Sequence, residues 1–267
     1  MSFSLDSIFT TRTALPKQRY ITEILPSAAL RPYIRCFWKY SGSTNILNYR
    51  IIPDCCADMI IPLDGYPPIF VGLSDSSFIT RRMGDVFGIR FYAWAVAPFL
   101  HICLSELFNN AVSADGISKD FFKLQNEIIE AKYTASQVNL AEKYLSERFD
   151  GKLCHDIMNS LYFALSNNCR TAMTDLSDYC AVSKRTLERK FINYIGVPPK
   201  TMIELLRYQL LWQDCIKPGF SSADSAFKLG YYDEAHMYND FKRYHGIGLG
   251  DARTEFKKLS HFYNTTT

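Results

Sequence analysis

The sequence predicts an α+β chain in three parts: a small β-barrel or β-sandwich over residues 1–110, a helical connector over 111–167, and an all-α double helix-turn-helix over 168–267. Three observations predict it. Short runs rich in β-branched and aromatic residues recur through the N-terminal region with turn residues between them. From about Trp94 the apolar spacing changes to that of helices. Ser183–Gly196, SKRTLERKFINYIG, returns at an offset of 50 residues as Asp233–Gly246, DEAHMYNDFKRYHG.

The strands are expected near Tyr20–Leu25, Tyr33–Tyr40 (YIRCFWKY), Tyr49–Ile52, Met59–Ile61, Ile69–Leu73, Phe78–Arg82 and Phe87–Phe91. Pro26–Arg31, Pro53-Asp54 and Leu63–Pro68 supply turns between them. Strands this short and evenly spaced close on themselves or stack as two sheets. Helices follow at Ala95–Leu107, Ser118–Lys132, Ser136–Phe149 and His155–Ser166, with Ser118 and Ser136 as candidate caps. These helices either carry a dimer interface or pack on their own domain.

In each copy of the repeat a side-chain acceptor opens the segment and a glycine closes it. Between them, Leu187 and Phe191 in one copy and Met237 and Phe241 in the other keep the i, i+4 spacing of one helix face. A shorter helix precedes each, Thr174–Cys180 and Ser222–Leu229, at helix-turn-helix spacing. Pro199–Lys217 reads as one long helix joining the two units, with Met202, Leu205, Leu206, Leu210 and Leu211 as its apolar stripe.

Composition bounds the function. A chain of 267 residues, 48% hydrophobic, is long enough for two packed domains. The net charge of +3 alone does not indicate nucleic acid, but its distribution does: Lys184, Arg185, Arg189, Lys190, Lys200 and Arg207 face only Glu188 and Glu204 over one stretch. The eight cysteines have no C-x-x-C spacing, so reduced, buried thiols are expected and zinc is not. The five histidines all lie at or beyond His101, so the β region has no imidazoles to converge on a metal. There is no phosphate-binding glycine loop and no nucleophile elbow. No enzyme activity, metal or cofactor is expected. No signal peptide is visible, and the longest apolar stretch, Phe91–Leu104, is too short to span a bilayer; a cytoplasmic protein without membrane contact is expected.

Residues 176–256 resemble the DNA-binding domain of AraC/XylS-type transcription regulators. The resemblance rests on Val182–Phe191 (VSKRTLERKF), Gly196–Lys200 (GVPPK), Arg207, Gly230–Glu234 (GYYDE), Phe241–Arg243 and Gly246. It departs at Leu249, where the family usually has proline, at Ala252, usually aromatic, and at Ser225, usually aliphatic. Residues 22–100 are similar, through Leu30–Tyr33 (LRPY), Trp38, Pro53-Asp54 and Gly88–Phe91 (GIRF), to the cupin-like β domain of some of these regulators, which often senses a small molecule.

The resemblance implies base reading by Arg185, Glu188 and Arg189 in the first unit and by Glu234, Ala235, Tyr238 and Asn239 in the second. Phosphate contacts are expected from Lys184, Lys190, Lys200, Arg207, Lys242 and Arg243. A ligand pocket would draw on Tyr33, Phe37, Trp38, Tyr49, Phe70 and Phe91, residues that equally suit a core. The implied partners are double-stranded DNA, RNA polymerase, a small-molecule effector and a second copy of the chain. The sequence thus reads as a sequence-specific transcription regulator; the alternative is a protein-interaction module whose helix-turn-helix has lost DNA affinity.

Overall fold

The computed structural model describes residues 21–41, 49–80, 84–100, 104–114, 117–118, 120–150 and 154–264. The expected lead-in before Ile21, the last two residues of the Phe78–Arg82 strand and the centre of the Ala95–Leu107 helix lie outside them. Eight strands are described: β1 (Ile21–Ile24), β2 (Ile34–Tyr40), β3 (Tyr49–Ile51), β4 (Cys56–Pro62), β5 (Ile69–Val71), β6 (Phe78–Thr80), β7 (Val86–Tyr92) and β8 (Ala111–Ser113). Nine helices follow: α1 (Asp120–Glu130), α2 (Thr134–Ser146), α3 (His155–Ser166), α4 (Met173–Tyr179), α5 (Lys184–Ile195), α6 (Pro199–Cys215), α7 (Ser222–Leu229), α8 (Glu234–His245) and α9 (Leu249–Asn264).

Six strands form one antiparallel sheet in the order β1-β2-β7-β4-β5-β8, and β3 pairs with β6 as a separate ribbon. Of the two architectures expected, the described strands form open sheets and no closed barrel. Alternation sorts the large sheet into two faces. On one, Phe37, Met59, Phe70, Phe87, Ile89 and Phe91 share a core with Phe121, Leu124 and Ile128 of α1 and Val138, Ala141 and Leu145 of α2. The pairing register shifts between Ile34 and Cys36, a β-bulge that lets Ile34 and Phe37 both reach this core.

The other face carries Cys36, Trp38, Tyr40 and Val86. Gly88 lies under the Trp38 indole, where an added Cβ would meet ring atoms at 2.0 Å. Beside it the Arg90 guanidinium is held by Asp58, at 2.9 and 3.0 Å, and by Asp54 at 3.1 Å, while the Trp38 Nε1–H donates to Asp58 at 2.8 Å. Burial works against the Arg90 charge, but Asp54 and Asp58 more than offset it and hold its pKa well above the ordinary value.

Three expectations changed. Ala95–Leu107 is not a helix: its described residues make short 3-10 turns at Ala93–Ala95 and Leu104–Leu107 with non-helical turns around Pro98, and proline cannot supply the N–H that a helix interior requires. Helix α2 starts at Thr134, so Ser136 sits inside it rather than capping it; Ser118 does accept from the Asp120 N–H at the start of α1. The connector expected over 111–167 is also not one piece. Its first strand, β8, closes the edge of the large sheet beside β5, α1 and α2 pack on that sheet, and α3 packs with α4, α5 and α6 through Ile157, Leu161, Ala164 and Leu165. No helix among the described residues is long and apolar enough to cross a membrane.

The Asp58 carboxylate joins three strands at once, so its loss leaves Arg90 half-paired and the Trp38 N–H without an acceptor. Asp58→Ala is expected to lower the unfolding free energy by about 3 kcal/mol in urea titration, as for a buried pair stripped of one member. A loss under about 1 kcal/mol would show that the network contributes nothing of its kind.

Candidate nucleic-acid interface

Each helix pair is assembled from local signals. In the first, the turn Cys180–Ser183 includes Ala181 at φ 52°, a left-handed residue held by the Val182 N–H bond to the Ser177 carbonyl at 3.0 Å. The Ser183 hydroxyl accepts from the Thr186 N–H at 3.2 Å and starts α5; Leu187, Phe191 and Ile195 are its buried stripe. In the second, Ser221 caps α7 through the Asp224 N–H at 3.3 Å, Gly230 ends it at φ 73°, and Asp233 caps α8 through the His236 N–H at 2.7 Å. Met237, Phe241, Tyr244 and His245 are buried beneath α8. The spacer α6 is buried over more than one stripe: Tyr208, Gln209 and Trp212 join Met202, Leu205, Leu206 and Leu211, and Leu210 is half-buried.

The seven base-reading candidates, Arg185, Glu188, Arg189, Glu234, Ala235, Tyr238 and Asn239, are all exposed. The six phosphate candidates divide. Lys184, Lys200 and Lys242 are exposed, Lys200 most clearly, with its side chain 83% accessible. Lys190 is paired with Asp156 of α3, a hydrogen bond that raises its pKa. Arg207 donates to the Cys169 carbonyl at 3.1 Å and lies over the Tyr231 ring, and Arg243 is shared between Glu204 and Asp240 at 3.5 Å each. Lys190 and Arg207 thus make contacts within the fold in addition to the place at the phosphates expected of them. Tyr232, 92% exposed beside the α8 cap, adds a ring to this surface that the base-reading and phosphate candidates do not include. Its partner Tyr231 is buried, which is what turns Tyr232 outward.

Residues 176–255 match a family described as a helix-turn-helix domain. The C-terminal domain is of the AraC type. Residues 22–113 match a separate family described as a domain of unknown function. No curated protein matches the chain. Among solved structures, ToxT from Vibrio cholerae is 9% identical, covering 89% of this chain and 99% of that one with a TM-score of 0.46. A transcriptional regulator with an AraC-type DNA-binding domain from Chromobacterium violaceum is 20% identical, covering 38% of this chain and 91% of that one with a TM-score of 0.36. Within the AraC-type domain, the three departures from the usual residues fit the packing, since Ser225, Leu249 and Ala252 are all buried.

Helices α5 and α8 both end against the N-terminal domain. Gly196 closes α5 at φ 88°, and an added Cβ would sit 2.3 Å from the Leu104 carbonyl oxygen. Gly246 closes α8 at φ 81° beside Ser77. There the Ser77 N–H donates to the Tyr244 carbonyl at 2.9 Å and the Ser77 hydroxyl to the His245 carbonyl at 2.7 Å, so the loop before β6 satisfies the last carbonyls of α8. Arg50 of β3 reaches Ser77 at 3.2 Å and Glu255 of α9 at 3.5 Å, and Gln209 of α6 donates to the Pro53 carbonyl.

The six candidates for a ligand pocket are not brought to one cavity. Phe37, Phe70 and Phe91 are in the sheet–helix core, Trp38 lies on the opposite face, and Tyr33 packs edge-on to Phe99 and Phe149. Tyr49 is on the β3 ribbon, and its side chain is outside the described residues.

His245, at the C-terminus of α8, is buried against Phe241 with its Nδ1 2.9 Å from the Tyr208 hydroxyl. Burial, with the Arg50 charge nearby, lowers its pKa from 6.5 to about 3. The folded ring therefore stays neutral where the unfolded one gains a proton, and this residue's contribution to stability is full above pH 6.5 and declines as pH falls toward 3. The stability advantage of the wild type over His245→Gln should narrow steadily across that window in denaturant titrations. A constant difference would show that the ring titrates alike in both states.

Proposed function

We propose that the chain is a sequence-specific regulator of transcription that places α5 and α8 in successive major-groove segments on one face of double-stranded DNA, with its N-terminal domain controlling how they are presented. The carrying observation is a pair of capped helices whose inner faces are buried and whose outer faces are bare. The 17 residues of α6 make a spacer of about 25 Å, of the order of the ~34 Å helical turn that separates adjacent major-groove segments.

In this reading Lys184, Lys200 and Lys242 attract phosphate and set register, and Arg185, Glu188 and Arg189 reach base edges. The α5 face carries the larger share of the affinity, since its exposed cations outnumber those of α8. The docking of both helix ends on the N-terminal domain supports control from that side: an effector or partner there would act through Leu104, Ser77 and Arg50, favouring one placement of the readers over another.

Selection from a random DNA library with the full-length protein at two salt concentrations tests the reading. The expected product is two short boxes about one helical turn apart, bound more weakly at the higher salt. Absence of any enriched motif would overturn it. Arg189→Ala should cost about 1–3 kcal/mol of binding and relax the choice at one position; equal weakening on every sequence would remove Arg189 from the base readers. Replacing both Arg50 and Ser77 by alanine should widen the box spacings that the protein accepts, and an unchanged spacing profile would leave the N-terminal domain without a part in placing α8.

A further inference from the structure

The two readers offer different chemistry to DNA, and contacts inside the fold fix the difference. On α5, Lys184, Arg185, Glu188 and Arg189 are exposed and have no side-chain partner among the described residues. Arg185 and Arg189 stand one turn apart on the same face as Glu188. On α8 the charged side chains other than Lys242 are engaged. The Ser222 hydroxyl donates to Glu234, which holds that carboxylate back toward α7. His236 accepts from the Tyr232 N–H at 3.4 Å and faces Asp240 at 4.0 Å, and Asp240 in turn pairs with Arg243.

What α8 leaves free is Ala235, Tyr238 and Asn239, exposed at i, i+3 and i+4 on one face, with the Tyr232 ring standing beside the helix start and Lys242, a phosphate candidate, one turn further on. That face has one amide, one methyl and a phenol ring, and no guanidinium. An amide pairs bidentately with adenine N6/N7, and alanine and the apolar part of tyrosine suit the thymine methyl, whereas an arginine fork suits guanine O6/N7. A free Glu234 would favour cytosine N4, but the bond from Ser222 draws it away.

We propose that the two boxes of the operator differ in base composition. The box under α5 carries guanine opposite Arg185 and Arg189. The box under α8 is an A·T box in which Asn239 pairs with adenine and Ala235 and Tyr238 lie against thymine methyl groups. This rests on the DNA-binding reading above and adds the identity of the bases each reader takes.

Random-library selection with the full-length wild type, Asn239→Ala and Asn239→Arg, followed by competition binding on the selected duplex, tests it. Asn239 is exposed, and matching melting temperatures would establish that the variants fold. For the wild type, changing the adenine opposite Asn239 to guanine should weaken binding between about fivefold and a hundredfold. Asn239→Ala should erase that discrimination while the guanine preference of the first box persists, and Asn239→Arg should move the second box toward guanine. A two-box motif whose second box is G·C-rich, or shows no base preference, overturns the inference while leaving the DNA-binding reading intact. No enriched motif from any of the three proteins overturns the DNA-binding reading, and the inference falls with it.

Discussion

The C-terminal ends of α5 and α8 must stop in a left-handed turn, and at both the absence of a side chain lets the N-terminal domain come into contact. At Gly196 the neighbour is backbone, the Leu104 carbonyl, which cannot rotate aside; at Gly246 it is the Ser77 hydroxyl, whose own hydrogen bond to the His245 carbonyl depends on that approach. Glycine serves twice at each site, by adopting φ near 80–90° without strain and by leaving room for the other domain. The last carbonyls of α8 would otherwise need water or a further cap. Satisfying them from across the domain boundary makes the end of that reader part of the interface, and the apolar cluster behind it is continuous from Ile52, Leu73 and Trp94 to Leu187, Leu205 and Met237.

The charged network under Trp38 shows a different use of burial. Arg90, Asp54 and Asp58 lie on or beside strands that already pair through the backbone, so the network is not needed to make the sheet. Buried ion pairs often add little over apolar packing, and their value lies in geometry that only one register satisfies. Here Trp38 and Arg90 must both meet Asp58. A one-residue slip of any of the three strands would send that strand's member of the network to the other face. The network therefore specifies the register of three central strands, on the side of the sheet away from α1 and α2.

Most of the helical half could be read from sequence because its signals are local. Ser183, Asp233, Gly196 and Gly246 announce caps within a few residues of the helices they bound, and all four stand at the ends the sequence indicated. Seven of the eight described strands were legible for the same reason, as apolar runs between turn residues; β8, three residues long, was not. What escaped depends on distance in the chain. Nothing local says that Lys190 meets Asp156 or that Arg207 turns to the Cys169 carbonyl, so both looked like free cations. The aromatic residues of the β region could be recognised as buried or pocket-lining but not divided between the faces, because the bulge before Cys36 changes which face Ile34 and Phe37 share. Residues 95–107 have apolar spacing that suits a helix, but the 3-10 turns there pack against α5, a contact that no local pattern reports.

The unequal charge of the two readers follows from the same packing. Long-range attraction to phosphate speeds encounter but discriminates little among sequences. In the proposed reading the exposed cations of α5 would supply that attraction, whereas the acidic groups Glu204 and Asp240 beside α8 pair with Arg243 and would reduce it. A reader with little electrostatic pull contributes mainly after the other is seated, when its position relative to the groove is already set by α6 and by the docked helix ends. Short-range contacts of an amide and apolar side chains are effective only under that condition, since they lose their energy within an ångström or so of misplacement. In the proposed reading the contacts at Ser77 and Leu104 and the weakly charged face of α8 belong to one arrangement: such a reader would select sequence because the rest of the molecule holds it in place.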